Sequence, residues 1–264
     1  IIGGNIGVPV LNLKPKNESN IYVIEASSFQ LDLVKDIKPN ISILTNLTPD
    51  HIDWHGSYKK YISSKENLFV NQDSNDIAII NINCNESAKF YNKLKRRKNK
   101  PKIIKILLNK KLNNSIYYHT GKIYNNLENK NLLIANVKDL SPLFGLHNIE
   151  NIMISIAAVL NKGVSHNQIK KYLPIFKGLP YRLELIYKDN NISFINDSKS
   201  TNLVSCKVAL NCFDNIIWIA GGRRKDDKLE DLKSNIKSIK AGYFIGESAG
   251  EFVNYFKNNF VCKN

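Results

Sequence analysis

The sequence predicts an α/β protein built on a largely parallel sheet, followed by a second, smaller α/β unit. Three observations carry this. Apolar, β-branched runs alternate with helical stretches through the first two-thirds of the chain. An almost wholly apolar helical stretch from His147 to about Leu160 has the pattern of a buried helix. Past Gly178-Leu179-Pro180 the strand–helix alternation starts again, which puts the domain division there, with domains at 1–179 and 180–264.

The elements follow in order. Strands are expected at Ile21–Glu25, Ile41–Thr45, Ile77–Ile82 and Ile103–Leu107, where Ile and Val crowd into short runs. Helices are expected at Ser57–Val70 and about Glu86–Leu94. In the first, Ser57 reads as an N-cap, and Tyr58, Tyr61, Ile62, Leu68 and Phe69 share one apolar face. Ser115–His119, Lys122–Asn126 and Asn131–Ala135 read as short strands, with Thr120-Gly121 as a turn. In the second unit, Leu183–Tyr187 and Ile192–Ile195 read as strands, about Asn202 to Asn211 as a helix, and Asn215–Ala220 as a buried strand. Helices are then expected near Leu229–Ile239 and Glu247–Lys257.

Composition excludes several classes. At 264 residues the chain is long enough for about two cores. Its 43% apolar and 23% charged residues are those of an ordinary globular protein. No apolar run approaches the roughly 18–20 residues of a membrane span. Lys14 and Lys16 follow the apolar start instead of preceding it, so no signal peptide is read. Cys84, Cys206, Cys212 and Cys262 form no CxxC pair and read as reduced thiols of a cytosolic protein. A net charge of +15 fits either nucleic acid or anionic small substrates drawn to a basic cleft. The densest basic run, Lys93–Lys100, has no interleaved aromatics and reads as a solvated helix end and loop. The chain opens on Ile1 and holds a single methionine, Met153, as expected for a sequence whose start has been removed or a piece of a longer protein.

Four clusters carry chemistry. Gly3-Gly4-Asn5-Ile6-Gly7 is a glycine-rich turn that permits close backbone approach, although no GxxxxGK[ST] loop occurs in the sequence. Glu25-Ala26-Ser27-Ser28-Phe29-Gln30 puts a carboxylate at a strand's C-terminal end, suited to Mg²⁺ or to a salt bridge. The third is His51 with Asp50 and Asp53, expected on the same sheet rim as Glu25, with Lys65 one helix away. A lysine on an apolar face either snorkels to the rim or is paired, deprotonated or modified. Carbamylation by CO₂ needs a neutral amine, and would turn Lys65 into a carboxylate able to support a cation. The fourth joins Asn148 and Asn151, at i and i+3 of one helix, with Tyr181-Arg182 and Asn196–Asn202. The two amides suit a base edge or a helix-packing hydrogen bond. Asp197-Ser198-Lys199, between a strand and a helix, suits an anion, and Lys225 lies just past the Gly221-Gly222 strand end.

Taken together, the stretches GGNIGVP, YVIEASSFQL, ILTNLTPDHIDWHGSYKKYISSKENLF, LFGLHNIEN, FKGLPYRLE, FINDSKSTN and IAGGRRKDD resemble the Mur ligase family, in its order and over almost the whole chain. Glu25-Ala26-Ser27-Ser28-Phe29-Gln30-Leu31 resembles the D-glutamate-adding branch. The resemblance implies a central domain of P-loop ligase type, here without its phosphate loop, then a partial Rossmann-like C-terminal domain. It also implies an ATP-dependent amide ligase of peptidoglycan precursor synthesis, cytoplasmic and monomeric, with UDP-N-acetylmuramoyl-L-alanine and D-glutamate as substrates and an acyl phosphate between them. ATP and Mg²⁺ are the implied cofactors, and no nucleic acid partner is implied.

By the same resemblance Glu25 and His51 are Mg²⁺ ligands and Lys65 is the carbamylated lysine supporting a second Mg²⁺. Asn148 and Asn151 face adenine, Arg182 the γ-phosphate and Asp197 the ribose. Lys199, Thr201 and Lys225 hold D-glutamate or the acyl phosphate, and Asn5 and Ser27 lie among the substrate-binding residues. His51, Lys65 and Lys199 are the residues implied in catalysis. The two domains would close about Gly178–Arg182. Departures from the family pattern are the UDP-binding domain, the phosphate loop and the far end of the C-terminal domain, together with Tyr181 for histidine and Ala26 for leucine. Residues 1–264 alone are therefore expected not to catalyse ligation. The alternatives are another ligase of the superfamily, such as a folylpolyglutamate synthase, or a non-catalytic basic binding module.

Overall fold

The structure, a computed structural model, describes residues 1–14, 20–140, 143–223 and 228–264. The chain divides into two units, Ile1–Ala135 with Glu150–His166, and Asn136–Ile149 with Asn167–Asn264.

The first unit opens with β1 (Ile2–Gly4) and β2 (Val23–Glu25), a parallel pair that places Gly4 opposite Glu25. A short helix, α1 (Ser28–Leu33), follows. Its start is a capping box: Gln30 N donates to Ser27 Oγ, and Ser27 N donates to Gln30 Oε1. A six-stranded sheet is ordered β3-β4-β5-β6-β7-β8. Its strands are β3 (Ile41–Leu44), β4 (Ile77–Asn81), β5 (Lys102–Leu108), β6 (Ser115–His119), β7 (Lys122–Asn125) and β8 (Leu132–Asn136). From β3 to β6 neighbours run parallel; β6 and β7 form an antiparallel hairpin. Thr120 and Gly121, both at positive φ, make its turn, which matches the right-handed twist of the paired strands. Four of the five β4 residues are buried, as expected for a parallel strand covered on both faces.

After β3 come α2 (Ile52–His55) and α3 (Tyr58–Glu66), and α4 (Asn85–Leu94) follows β4. Ser57 caps α3 by accepting from Lys60 N, and the apolar face predicted from spacing is the one it buries. Tyr61 and Phe69 pack with Leu44, Ala78, Ile80, Phe90 and Leu94, while Tyr58, Ile62 and Leu68 pad the edge. Burying side chains of this size is worth about 1.5–3 kcal/mol each.

Two further helices, α5 (Leu146–Leu160) and α6 (His166–Tyr172), run through the division between units. In the second unit β9 (Glu184–Lys188) and β10 (Ser193–Asn196) form an antiparallel pair. A parallel sheet of β11 (Ile216–Gly221), β12 (Ile239–Ile245) and β13 (Val261–Lys263) carries α7 (Leu203–Leu210) and α8 (Ala249–Phe256). Trp218, Phe244, Phe252 and Phe256 are its aromatic centre, with Trp218 edge-on to the other three. Gly221 (φ +145) sits so close to β12 that an added Cβ would lie 1.9 Å from Ile245 O.

Two expectations need correction. Ile21–Glu25 and Ile41–Thr45 are not neighbouring strands of one sheet: β2 pairs with β1, and β3 is in the six-stranded sheet. The stretch read as one helix near Leu229–Ile239 is a series of 3₁₀ turns over Leu229–Ser238, and Ile239 opens β12. Leu229 and Leu232 are buried there.

Candidate functional site

In the first unit, Glu25 ends β2 with its side chain exposed. Asn5 clasps it twice: Asn5 N donates to Glu25 O at 2.8 Å, and Asn5 Nδ2 donates to Glu25 Oε1 at 3.0 Å. Gly4 makes this possible, because at φ +117 its missing Cβ would lie 2.2 Å from Glu25 O. The glycine-rich turn is thus a cradle for the Glu25 backbone. Ser27 is engaged in the cap of α1, and its hydroxyl lies 3.2 Å from Gln30 Oε1.

His51 holds a left-handed conformation (φ 51°, ψ 37°) at the start of α2, with no side-chain cap bond. A non-glycine residue there costs of order 1 kcal/mol or more and recurs at functional sites. The exposed imidazole lies 4.7 Å from the Phe29 ring, and its Nε2 is 3.4 Å from Asp50 Oδ2. Phe29, two residues past Ser27, thereby ties the Glu25 segment to the His51 turn.

Lys65 is half-buried in the last turn of α3, its ammonium 5.7 Å from the centre of the Tyr61 ring. Burial pulls its pKa below the usual lysine value, while the charges of Asp50 and Glu25 act in the opposite sense. No carboxylate among the described residues comes within ion-pair distance of it. Burial shifts the amine toward the neutral form that reacts with CO₂, while the two carboxylates favour its charged form. Glu25, Asp50 and His51 offer oxygen and imidazole donors on one side of the unit. Carboxylate oxygens completed by phosphate oxygens and water are how Mg²⁺ is usually held, and an imidazole nitrogen is a less usual ligand for it. Among the described residues no three His, Cys, Asp or Glu side chains lie together as a group that could hold a metal ion.

On α5, Asn148 Nδ2 donates to Phe144 O at 2.8 Å, so its amide nitrogen is engaged at the helix start; Asn151 is exposed. Between them Glu150 is half-buried and accepts from Asn83 Nδ2 at 2.8 Å. Burial pushes its pKa up, and bonds from Asn81 and Asn83 pull it down. Sequence reasoning counted Glu150 in the His147–Asn151 cluster but assigned it no role. Its only signal was a charge on a helix otherwise read as apolar.

In the second unit, Asp197 Oδ1 accepts from Leu183 N at 3.0 Å, and Lys199 N donates to Tyr181 O at 3.1 Å. These bonds join the Asp197–Lys199 turn to the Tyr181–Leu183 segment, where Tyr181 (φ 64°) and Leu183 (φ 45°) are both left-handed. Arg182, Lys199 and Thr201 are exposed around this junction. The helix α7 starts only after Asn202, whose side chain accepts from Ser205 N as its cap. Asp197 also raises the pKa of nearby Cys206, which burial above all pushes up to about 12. Lys225 lies outside the described residues.

The Mur ligase middle domain matches residues 3–159, more than half of the chain. The UDP-N-acetylmuramoylalanine--D-glutamate ligase of Rickettsia prowazekii (strain Madrid E) is 39% identical, over 100% of this chain and 58% of the relative. That of Agrobacterium fabrum (strain C58 / ATCC 33970) is 36% identical, over 95% of this chain and 52% of the relative. Among solved structures, the MurF ligase of Thermotoga maritima in complex with ADP shares the fold. Its TM-score is 0.59 at 14% identity, over 91% of this chain and 62% of that one. The chain spans little more than half the length of the curated relatives it matches. It belongs to the Mur ligase family.

Proposed function

We propose that the protein carrying this sequence is an ATP-dependent amide ligase that joins D-glutamate to UDP-N-acetylmuramoyl-L-alanine in the cytoplasm, acting as a monomer. The alanyl carboxylate is phosphorylated by ATP, and the amine of D-glutamate displaces phosphate from the acyl phosphate, forming the amide. In such a reaction most of the acceleration comes from holding reactants and charges in place. Bound Mg²⁺ would neutralise charge on the transferring phosphoryl group.

The residues take complementary parts. Glu25 and His51 hold the cation, with Glu25 oriented by Asn5. Lys65, once carbamylated, presents an oxygen donor to a second cation; carbamate formation joins the neutral amine to CO₂ and releases one proton. Asn5 and Ser27 lie on the muramoyl substrate. Asn148 and Asn151 meet adenine, Asp197 the ribose and Arg182 the γ-phosphate. Lys199, Thr201 and Lys225 hold D-glutamate or the acyl phosphate. In this reading, with the domain division taken at 179/180, Lys199, Thr201 and Lys225 fall in an amino-acid-binding domain and the cation site in an ATP-binding one.

The observation that carries this reading is the half-buried Lys65, its ammonium 5.7 Å from the centre of the Tyr61 ring and outside ion-pair distance of every carboxylate among the described residues. A solvated surface lysine would have no such environment. The test is an amino-acid profile in the whole protein, measuring phosphate release with ATP, Mg²⁺ and UDP-N-acetylmuramoyl-L-alanine. D-Glutamate is expected to be the preferred amine by at least about 100-fold over L-glutamate, because the mirror image leaves polar groups of the site unpaired. Glutamylation of a folate instead, or no amine-dependent phosphate release, would reject it.

A further inference from the structure

Between the helix that follows Glu25 and the helix that carries Lys65 lies a buried imidazole. His55 is 5% exposed. Its Nε2 is 3.0 Å from Ser28 Oγ, and its Nδ1 is 3.4 Å from Ser64 Oγ. Ser28 is the first residue of α1, three residues past Glu25; Ser64 is the neighbour of Lys65 on α3. Both serines are almost fully buried.

The donor inventory gives these bonds a direction. Ser64 has one hydroxyl proton, and it goes to Asp32 Oδ1 at 2.6 Å or to Lys60 O at 3.0 Å. Its oxygen therefore accepts from His55 Nδ1–H, which leaves Nε2 bare to accept from the Ser28 hydroxyl. The series runs from Ser28 through His55 and Ser64 to Asp32. Since Ser28 and Asp32 are one turn apart on α1, it leaves that helix, passes through His55 of α2 and Ser64 of α3, and returns. Three rings wall the imidazole: Phe29 stacked at 5.7 Å and 11°, Trp54 at 4.7 Å and Tyr61 at 5.5 Å. Tyr61 is also the ring beneath the Lys65 ammonium.

A serine, a histidine and a carboxylate in series is also the order of a nucleophile with its base. Here Ser28 is 2% exposed, so no substrate reaches its hydroxyl, and a covalent role is ruled out.

We propose that His55 is a positioning residue, locking α1 onto α3 and so fixing Lys65 relative to Glu25. The inference rests on the ligase reading above, in which these two side chains share the cation site. Burial and rings alone could fill this space with an apolar residue. Two directed hydrogen bonds to different helices set their register as well, which matters because a misplacement of about 1 Å costs about 100-fold in rate.

The test compares His55→Phe, His55→Gln and Ser64→Ala with wild type in the whole protein, by steady-state kinetics and by amide hydrogen exchange. His55→Phe keeps the ring and loses both hydrogen bonds. It is expected to lower kcat about 30- to 100-fold, with KM for ATP within about threefold of wild type. Amides of α1 and α3 should exchange faster together, while those of β4 and β5 stay protected. His55→Gln, whose amide reaches the Nε2 position, should recover at least about tenfold of the lost kcat, and Ser64→Ala should lose about tenfold. If His55→Phe does not fold, the Gln and Ala variants decide alone. Unchanged kcat in variants that have lost these bonds, or faster exchange spread evenly over the unit, overturns the proposal. The ligase reading fails separately: wild type would then not consume D-glutamate, and faster exchange of α1 and α3 together would still show the lock.

Discussion

The glycine that backs Glu25 offers a sharp perturbation. Gly4→Ala adds a Cβ that would sit 2.2 Å from Glu25 O and 3.0 Å from Glu25 N. Ordinary contact begins near 3.4 Å, so β1 and β2 must part by about 1.2 Å at this point. The pair has only three registered positions to absorb the shift, and Gly4–Glu25 is the last of them. Glu25 would move by about that distance relative to Lys65. A displacement of about 1 Å at a reacting centre costs about 100-fold, or about 2.7 kcal/mol of transition-state stabilisation. The φ of +117° adds strain of about 1–3 kcal/mol to the fold itself. The assay is D-glutamate-dependent phosphate release in the whole protein at saturating substrates, with a Mg²⁺ titration and a thermal melt beside it. Gly7→Ala is the control: its φ is +67°, yet nothing lies within 4 Å of the added Cβ, so it carries strain without displacement. Gly4→Ala should lose about 100-fold in kcat and need more Mg²⁺, whereas Gly7→Ala should stay within a few-fold. A folded Gly4→Ala with more than half the wild-type kcat would refute the reasoning, as would equal losses in both variants.

Other consequences follow from single side chains. Lys65→Met should abolish turnover by at least about 100-fold without lowering Tm, since the lost cation–π contact with Tyr61 is worth only about 0.5–1 kcal/mol and the buried charge is removed. Because burial holds the folded pKa below 10.5, the unfolded chain binds the extra proton. With CO₂ excluded, so that Lys65 is the free amine, wild-type stability should therefore gain a rising component as pH climbs toward 10.5, which a pH series of melts should show missing in Lys65→Met. Trp218→Ala empties the aromatic centre of the second unit and should cost about 3–5 kcal/mol in chemical denaturation; a loss under about 1 kcal/mol would contradict that packing. Cys206, its thiol pushed up to about 12, should be the last cysteine to react with iodoacetamide at pH 8. Its raised value stabilises the fold below pH 9, and that contribution should fade as pH rises from 9 toward 12.

Much of the first unit was legible because its signals are local. The Ile-rich runs of β3, β4 and β5 and the Ser57 cap of α3 need no tertiary information to read. The short helices α1 and α2 escaped because six and four residues hold too little periodicity, although Ser27 and Gln30 spell a capping box three apart. The position of Glu25 was reached by a wrong route: the rim expected between neighbouring strands does not exist. Phe29 against His51, and α1 against α3, join the two segments instead, through contacts between residues more than 20 apart. His55 was invisible for the same reason, since its partners Ser28 and Ser64 lie 27 and 9 residues away. Beyond Leu229 a helix was expected where the backbone makes 3₁₀ turns, and the strand Ile239–Ile245 was missed behind them.

The most direct test of the cation site is the anomalous signal of Mn²⁺ in crystals of the whole protein grown with ADP. Peaks within about 2.5 Å of a Glu25 oxygen and of the His51 imidazole, with a second beside a carboxylated Lys65, are the expected result. Nucleotide bound with its Mn²⁺ held by other residues, and Lys65 an unmodified amine, would contradict it.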